Sequence, residues 1–223
     1  MNVGLSLAEE NYLKAMYHLS NGGSESVNNN ALAESIKTSP ASTNDMVKRL
    51  SGKKLLAHQK YKGTTLLPKG KKIALSIIRK HRLWEVFLVE KLHLKWDEVH
   101  EIAEQLEHVK SPLLISRLDE FLGRPTIDPH GDAIPDEHGN MKQTLKATLS
   151  NVSIDTRGII VSVSNDNPAL LKHLNKIGIE LGSKVKVTDQ IDFDGSIAIS
   201  INEGNPQFIS KPIADNLMIT ILK

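Results

Sequence analysis

Two stretches of the chain carry side chains spaced for chemistry. In RKHRLWEVF, His81 and Glu85 stand four residues apart, so on a helix they share one face. In VHEIAEQLEHV, His100, Glu104 and His108 stand at i, i+4 and i+8, with Glu107 at i+7. At 3.6 residues per turn this face drifts only slowly. Imidazole and carboxylate oxygen are metal ligands, and the chain has no cysteine to add a thiolate. Two facing helices presenting these groups can close one or two octahedral or distorted sites. Such donors suit Mn²⁺ or Fe²⁺, although bare affinity favours Zn²⁺ or Ni²⁺. Glu and His also occupy ordinary helix surfaces. His18, His58, His93 and His173 are read that way, and His130 and His138 as turn or surface residues of a Pro-rich stretch.

The elements that hold these residues follow from periodicity and punctuation. LAEENYLKAMYHLS has near-helical apolar spacing, with Ser6 as N-cap and Glu9 completing a capping box. NNNALAESIK is a short helix, and TSP a turn. Ser39 as N-cap and Pro40 at the first helical position open PASTNDMVKRLSGK. Leu55–Tyr61 and Thr64–Leu67 are strand-like around a Lys62-Gly63 turn. Helices are expected from Lys69 to about Leu92, from Trp96 or Asp97 to about Lys110, and over Pro112–Leu122. Gly123–Gly139 is loop. Beyond it, short β-branched runs and one helix (PALLKHLNKI) suit a small five-stranded barrel.

Helix, tight turn, helix and hairpin make a winged helix-turn-helix, whose second helix enters the DNA major groove. Its leading residues are Ser39, Pro40, Ala41, Ser42, Thr43 and Asn44, with Ser, Thr and Asn suited to base edges. Lys48, Arg49, Lys53 and Lys54 follow toward phosphates, and Lys60 and Lys62 flank the wing tip beside Tyr61. The charge agrees. The total of +2 is a cancellation: residues 1–84 carry +9, residues 85–141 carry −8 and residues 142–223 carry +1. From Met46 to Trp84 twelve Lys or Arg face no acidic residue, the footprint of a phosphate-binding surface.

At RKHRLWE and VHEIAEQLEHV the sequence resembles the diphtheria-toxin-repressor family of metal-dependent transcriptional repressors. The resemblance runs along the whole chain: EENYLKAMYHL, then SPASTNDMVKRL, then the YKGTTLLPKGKKIA wing, then an SH3-like domain of the iron-transport-protein-A type. It implies a mainly α fold with β: a winged helix-turn-helix over 1–73, a helical dimerisation and metal-binding domain over 74–123, a Pro/Gly-rich linker over 124–150 and the SH3-like β-barrel over 151–223. It implies a primary metal site of Asn11, Glu104, Glu107 and His108. An ancillary site takes His81, Glu85 and His100, joined from the third domain by Asp166 or its neighbour Asn167. Iron-dependent members have Cys where Glu104 stands and Met where Asn11 stands, and Glu for sulfur is the pattern of manganese-responsive members. Lys14 replaces an acidic residue that some short members use for a binuclear site. The expected corepressor is Mn²⁺ or Fe²⁺, and the expected partners are a double-stranded DNA operator near metal-uptake genes and a second copy of the chain. Trp84, Phe87, Leu88, Leu113, Leu114, Leu118, Phe121 and Leu122 are candidates for the dimer contact.

Composition excludes several classes. No cysteine means no disulfide scaffold, Cys-ligated zinc finger, Fe–S cluster or thiol nucleophile. No apolar run nears the roughly 18 residues needed to cross a bilayer, and MNVGLSLAEENYL is no signal peptide. A cytoplasmic regulator is expected, with no membrane partner and no small organic substrate. A carboxylate-bridged metalloenzyme would need paired Glu-x-x-His motifs from four helices, and this chain lacks the second pair. The other alternative is a winged-helix regulator with a non-metal effector.

Overall fold

A computed structural model describes residues 4–59, 62–141, 145–165 and 167–222. Helix α1 (Leu7–Leu19) starts with the expected capping box: Glu9 N–H donates to Ser6 Oγ at 3.3 Å, and Ser6 N–H donates to Glu9 Oε2 at 2.9 Å. Helix α2 (Asn29–Ser35) is capped by Asn28. Helix α3 (Pro40–Gly52) is capped by Ser39 and has Pro40 in its first turn. Strands β1 (Leu56–Gln59) and β2 (Gly63–Leu66) pair antiparallel from Leu56↔Leu66 to Gln59↔Gly63. Gly63 has φ +88°, and a Cβ there would lie 2.8 Å from the Val27 carbonyl, so the hairpin requires glycine. Helices α4 (Pro68–Leu92), α5 (His100–Leu106) and α6 (Pro112–Phe121) follow.

Helix α5 is shorter than its sequence pattern suggests. Residues 96–99 are turn and bend, and Glu107 and His108 lie in a turn beyond Leu106. Val109 N–H donates to the Leu106 carbonyl, an i→i+3 closure that ends the helix.

The described residues form two compact units. The first comprises residues 1–82, 104–117 and 135–141. Its core is Leu13, Met16, Leu32, Val47, Leu50, Leu55, Leu56 and Ala74, the apolar faces of α1, α2, α3, the hairpin and the start of α4. This cluster fixes the recognition helix against α1.

The second unit comprises residues 83–103, 118–134 and 142–223. It contains a six-stranded antiparallel sheet in the order β3-β8-β4-β5-β6-β7. The strands are β3 (Ala147–Thr148), β4 (Arg157–Val163), β5 (Lys184–Gln190), β6 (Ile197–Ile201), β7 (Gln207–Ile209) and β8 (Leu217–Ile221). Helix α7 (Pro168–Lys176) and the short α8 (Lys211–Asp215) accompany them. Six strands replace the expected five, because β3 has two residues and β7 three, too few to show a period-2 pattern. Register shifts at Ile160/Ser162 and Val187/Asp189 mark bulges, which raise strand twist and bend a small sheet around its core. That core is built from Leu149, Ile160, Leu171, Leu174, Val187, Ile199, Leu217 and Ile219.

Candidate metal centres and nucleic-acid interface

In the first unit, three segments bring titratable side chains together. Helix α1 supplies Glu10 and Lys14, α4 supplies His81, and the end of α5 with its following turn supplies Glu104, Glu107 and His108. Glu107 is fully buried, and its Oε2 accepts from His81 Nδ1 at 2.7 Å and from Lys14 Nζ at 2.7 Å. Burial pushes its carboxyl up. The His81 hydrogen bond and the Lys14 charge outweigh that and hold it below the usual carboxylate range, so Glu107 is an anion. Lys14 also binds Glu104 Oε1.

His108 is oriented for ligation. Its Nδ1–H donates to Glu10 Oε2 at 2.6 Å, which leaves Nε2 unprotonated in the neutral ring and 3.8 Å from Glu107 Oε1. A carboxylate behind a ligating imidazole fixes tautomer and orientation in this way. Glu107 Oε1 and Asn11 Oδ1 are shielded from solvent with no hydrogen-bond partner among the described residues. Buried acceptors of this kind are costly unless something fills them. An amide oxygen, two carboxylates and an imidazole are a donor set for a hard or borderline divalent cation, so Asn11, Glu104, Glu107 and His108 fit the primary ligand set implied by the resemblance. His81, expected at the ancillary set, is hydrogen-bonded to Glu107.

The second unit holds another cluster. His100 Nδ1 lies 3.7 Å from Glu85 Oε1, and His130 Nδ1 lies 3.6 Å from the same oxygen. Glu85, Asp128 and His130 are all buried and offer ligand atoms within 4.8 Å of one another. His130 Nε2–H donates to the Trp96 carbonyl at 2.9 Å, so Nδ1 faces the carboxylates. Burial pulls the His130 pKa down, but the Glu85 hydrogen bond, the Glu85 charge and Asp128 dominate and push it up to about 9. Two carboxylates demanding a positive charge at this point also fit a cation.

His130 is therefore not the surface residue its Pro-rich setting suggested. The loop is folded tightly: Asp128 Oδ1 accepts from the backbone N–H of His130 at 2.8 Å and of Asp132 at 2.9 Å. The loop is pinned to β4 by Val163 N–H donating to the His130 carbonyl at 3.0 Å. Gly131 has φ +83°, and a Cβ there would fall 1.7 Å from the Val161 carbonyl, so no other residue permits this approach. The D-x-H-G spacing, in which Asp builds an Asx turn and Gly closes it, announces the turn only, since the same spacing at Asp136–Gly139 leaves His138 exposed. Asp166 lies outside the described residues. Its neighbour Asn167 caps α7, accepting from Ala169 N–H at 2.8 Å.

The recognition helix is exposed at Ser39, Pro40, Ala41, Ser42, Asn44 and Lys48. Thr43 is a correction: it is fully buried, with Oγ1 3.2 Å from the Tyr12 hydroxyl, so it packs α3 on α1 instead of reaching a base. Asn44 Oδ1 accepts from Asn29 Nδ2 at 2.7 Å, which ties the two helices of the motif. Arg49 Nε and Lys53 Nζ donate to Glu9 Oε1 at 2.8 and 2.6 Å. Lys62 is exposed beside the hairpin, and Lys60 lies outside the described residues.

Family models match three successive stretches. Residues 5–64 match the N-terminal DNA binding domain of the iron dependent repressors, residues 67–136 their metal binding and dimerisation domain, and residues 147–221 the FeoA domain. A solved manganese-dependent transcriptional repressor in complex with manganese is 32% identical, with a TM-score of 0.88 over 96% of this chain and 100% of that one. The chain belongs to the family of metal-dependent transcriptional repressors. Iron-dependent repressor IdeR of Mycobacterium leprae is 35% identical over 126 residues, 56% of this chain and 54% of its own length, so the chain spans about half of that relative. The diphtheria toxin repressor of Corynebacterium diphtheriae is 27% identical over 217 residues, 90% of this chain and 91% of its own length. This is a family of repressors and not of enzymes. Its architecture, a helical DNA-binding domain, a helical middle and a C-terminal β domain, is the one described above. No helix among the described residues is long and apolar enough to cross a membrane.

Proposed function

We propose that this protein is a repressor of metal-uptake genes, that it binds a double-stranded DNA operator as a homodimer in the cytoplasm, and that Mn²⁺ or Fe²⁺ is its corepressor. Residues 1–73 contact DNA, 74–123 bind metal and dimerise, 124–150 connect, and 151–223 form the SH3-like domain. The observation that carries this reading is the run Glu9–Glu10–Asn11 near the start of α1. Glu9 grips the recognition helix through Arg49 and Lys53, Glu10 grips the ligand His108, and Asn11 offers an unpartnered oxygen. One turn of helix thus connects the metal ligands to the DNA-reading surface.

Asn11, Glu104, Glu107 and His108 would hold the primary ion, and Glu85, Asp128 and His130, with His100 beside them, a second. The ion supplies positive charge that ligand oxygens from separate segments can share. The protein residues do the rest: Glu10 keeps His108 in its ligating tautomer, and the Glu9 ion pairs transmit the position of α1 to α3. Coupling of this kind is worth about 1–3 kcal/mol per effector. Manganese is favoured over iron by Glu104, a hard oxygen donor where the resemblance puts a sulfur in iron-dependent members. The dimer face is the exposed apolar side of α6, where Leu113 is 70% and Phe121 64% accessible. Leu88, Leu118 and Leu122 are buried within the chain and belong to its core.

An anaerobic operator titration by fluorescence anisotropy, with Mn²⁺, Fe²⁺ and Zn²⁺ in parallel, tests the reading. Operator affinity should rise at least about tenfold with metal, which is ~1.4 kcal/mol, and lose that dependence in Glu107→Ala and His108→Ala. Affinity indifferent to metal sinks it.

A further inference from the structure

Lys14 is the unexpected member of the first cluster. It sits three residues beyond Asn11 on α1, one helical turn along the same face. Its side chain is 13% exposed, and its ammonium binds Glu104 Oε1 and Glu107 Oε2, with His81 Nδ1 3.3 Å away. These partners lie 90, 93 and 67 residues away in sequence, so one side chain of α1 draws together α4, α5 and the turn after it. A second cation, Lys80, interacts electrostatically with Glu10 and Glu107.

We propose that Lys14 is the resident cation of the primary cluster: its ammonium neutralises Glu104 and Glu107 before metal arrives, confines the cluster to a single divalent ion, and sets the concentration at which that ion enters. The inference rests on the metal-binding reading above. Two carboxylates converging on one point, Glu107 fully buried and Glu104 37% exposed, repel one another unless a positive charge stands between them. Lys14 supplies that charge from within the chain, so the cluster is assembled without metal. An incoming ion must share or displace the ammonium, because both seek the same oxygens. An ammonium has three donors and no lone pair, so Lys14 in this form does not ligate, and a second ion finds no further anionic group where Lys14 stands. The price is affinity: a like charge a few ångströms from the ion weakens its binding by at least about tenfold in partly buried surroundings. A weak primary site responds only when free metal is plentiful, which is what a repressor of uptake requires.

The test uses the full chain, with Mn²⁺ binding measured by equilibrium dialysis and elemental analysis. Ions are assigned to this cluster by their loss in Glu107→Ala. Lys14→Met should bind Mn²⁺ at least about tenfold tighter than wild type, and its metal-free form should melt several degrees earlier, because Glu107 is left buried without its countercharge. Lys14→Arg keeps the charge and should keep both wild-type values. Lys14→Glu should bind one more ion per chain. If Lys14→Met does not fold without metal, Lys14→Gln, which retains a donor without the charge, carries the same comparison. Wild-type or weaker Mn²⁺ affinity in the neutral variant, or no added ion in Lys14→Glu, overturns the proposal. If wild-type protein binds no Mn²⁺ at this cluster, the metal-binding reading falls instead. The metal-free melting comparison then still decides whether Lys14 is the resident cation.

Discussion

Replacing Glu9 with alanine tests how firmly the recognition helix is held to α1. The Glu9 side chain is fully buried, yet it has three partners: Ser6 N–H at 2.9 Å, Arg49 Nε at 2.8 Å and Lys53 Nζ at 2.6 Å. Losing its half of the capping box costs about 1 kcal/mol. The two ion pairs are worth less than their distances suggest, because Arg49 is 57% and Lys53 28% exposed and both regain water when released. About 0.5–1 kcal/mol each is appropriate for such partly exposed pairs. The sum is about 2–3 kcal/mol. At about 2–4 °C per kcal/mol for a chain of this size, the melting midpoint should fall by roughly 5–10 °C. Glu9→Gln keeps an acceptor for Ser6 and should lose about half as much. The pH dependence has a definite sign. Burial raises the Glu9 carboxyl, but the Lys53 hydrogen bond, the Ser6 backbone hydrogen bond and the two cationic charges outweigh it, and the carboxyl lies below its ordinary 4.5. A depressed acid stabilises the fold above its unfolded pKa and loses that contribution as pH falls through the folded one. The gap between wild type and Glu9→Ala should therefore be constant near neutrality and shrink below about pH 4.5. Thermal unfolding followed by far-ultraviolet circular dichroism reads both. A midpoint within a degree of wild type, or a gap that widens in acid, refutes the assigned role.

Two further outcomes concern the dimer and the second cluster. Phe121→Glu places a charge on the exposed face of α6 and should weaken dimerisation by at least about a hundredfold, ~2.7 kcal/mol, measured by sedimentation equilibrium; an unchanged dimer locates the interface elsewhere. Gly131→Ala forces a Cβ onto the Val161 carbonyl in a left-handed conformation and should cost about 2–4 kcal/mol in chemical denaturation. A neutral result would mean that the Asp128–Asp132 loop is not held against β4.

Local rules were legible and tertiary ones were not. Ser6 with Glu9, and Ser39 with Pro40, announce helix starts because capping chemistry is decided within four residues, and both starts fall where expected. The residue types around His100 to His108 were visible, but the shared helical face was not realised as read, because only His100 and Glu104 lie on α5 while Glu107 and His108 follow in the turn. The end of α5 was not legible, because the i→i+3 closure at Leu106 leaves no mark in apolar periodicity. Thr43 read as a base contact because it belongs to an exposed-looking helix start, while its burial depends on Tyr12, 31 residues away. His130 looked like a loop residue and is one; its burial comes from the contact of its loop with β4, and nothing in the loop's own composition records that contact. Lys14 carried a signal only as a departure from a family pattern, and its partners became apparent from the packing of α1.

The surroundings of His130 give this protein a natural optical reporter. The chain has two tryptophans, and Trp96 stacks on the His130 ring with centroids 6.0 Å apart and planes 19° from parallel. Its indole N–H donates to Asn175 Oδ1 at 2.8 Å, and Asn175 in turn donates to Asp97 at 3.3 Å. One fluorophore thus touches a candidate ligand on one side and helix α7 of the β domain on the other. A paramagnetic ion drawn to His130 would quench its emission, while a loosening of α7 would shift that emission to the red. Intensity and wavelength then separate occupancy from domain movement in one unlabelled sample, with Trp84→Phe removing the background.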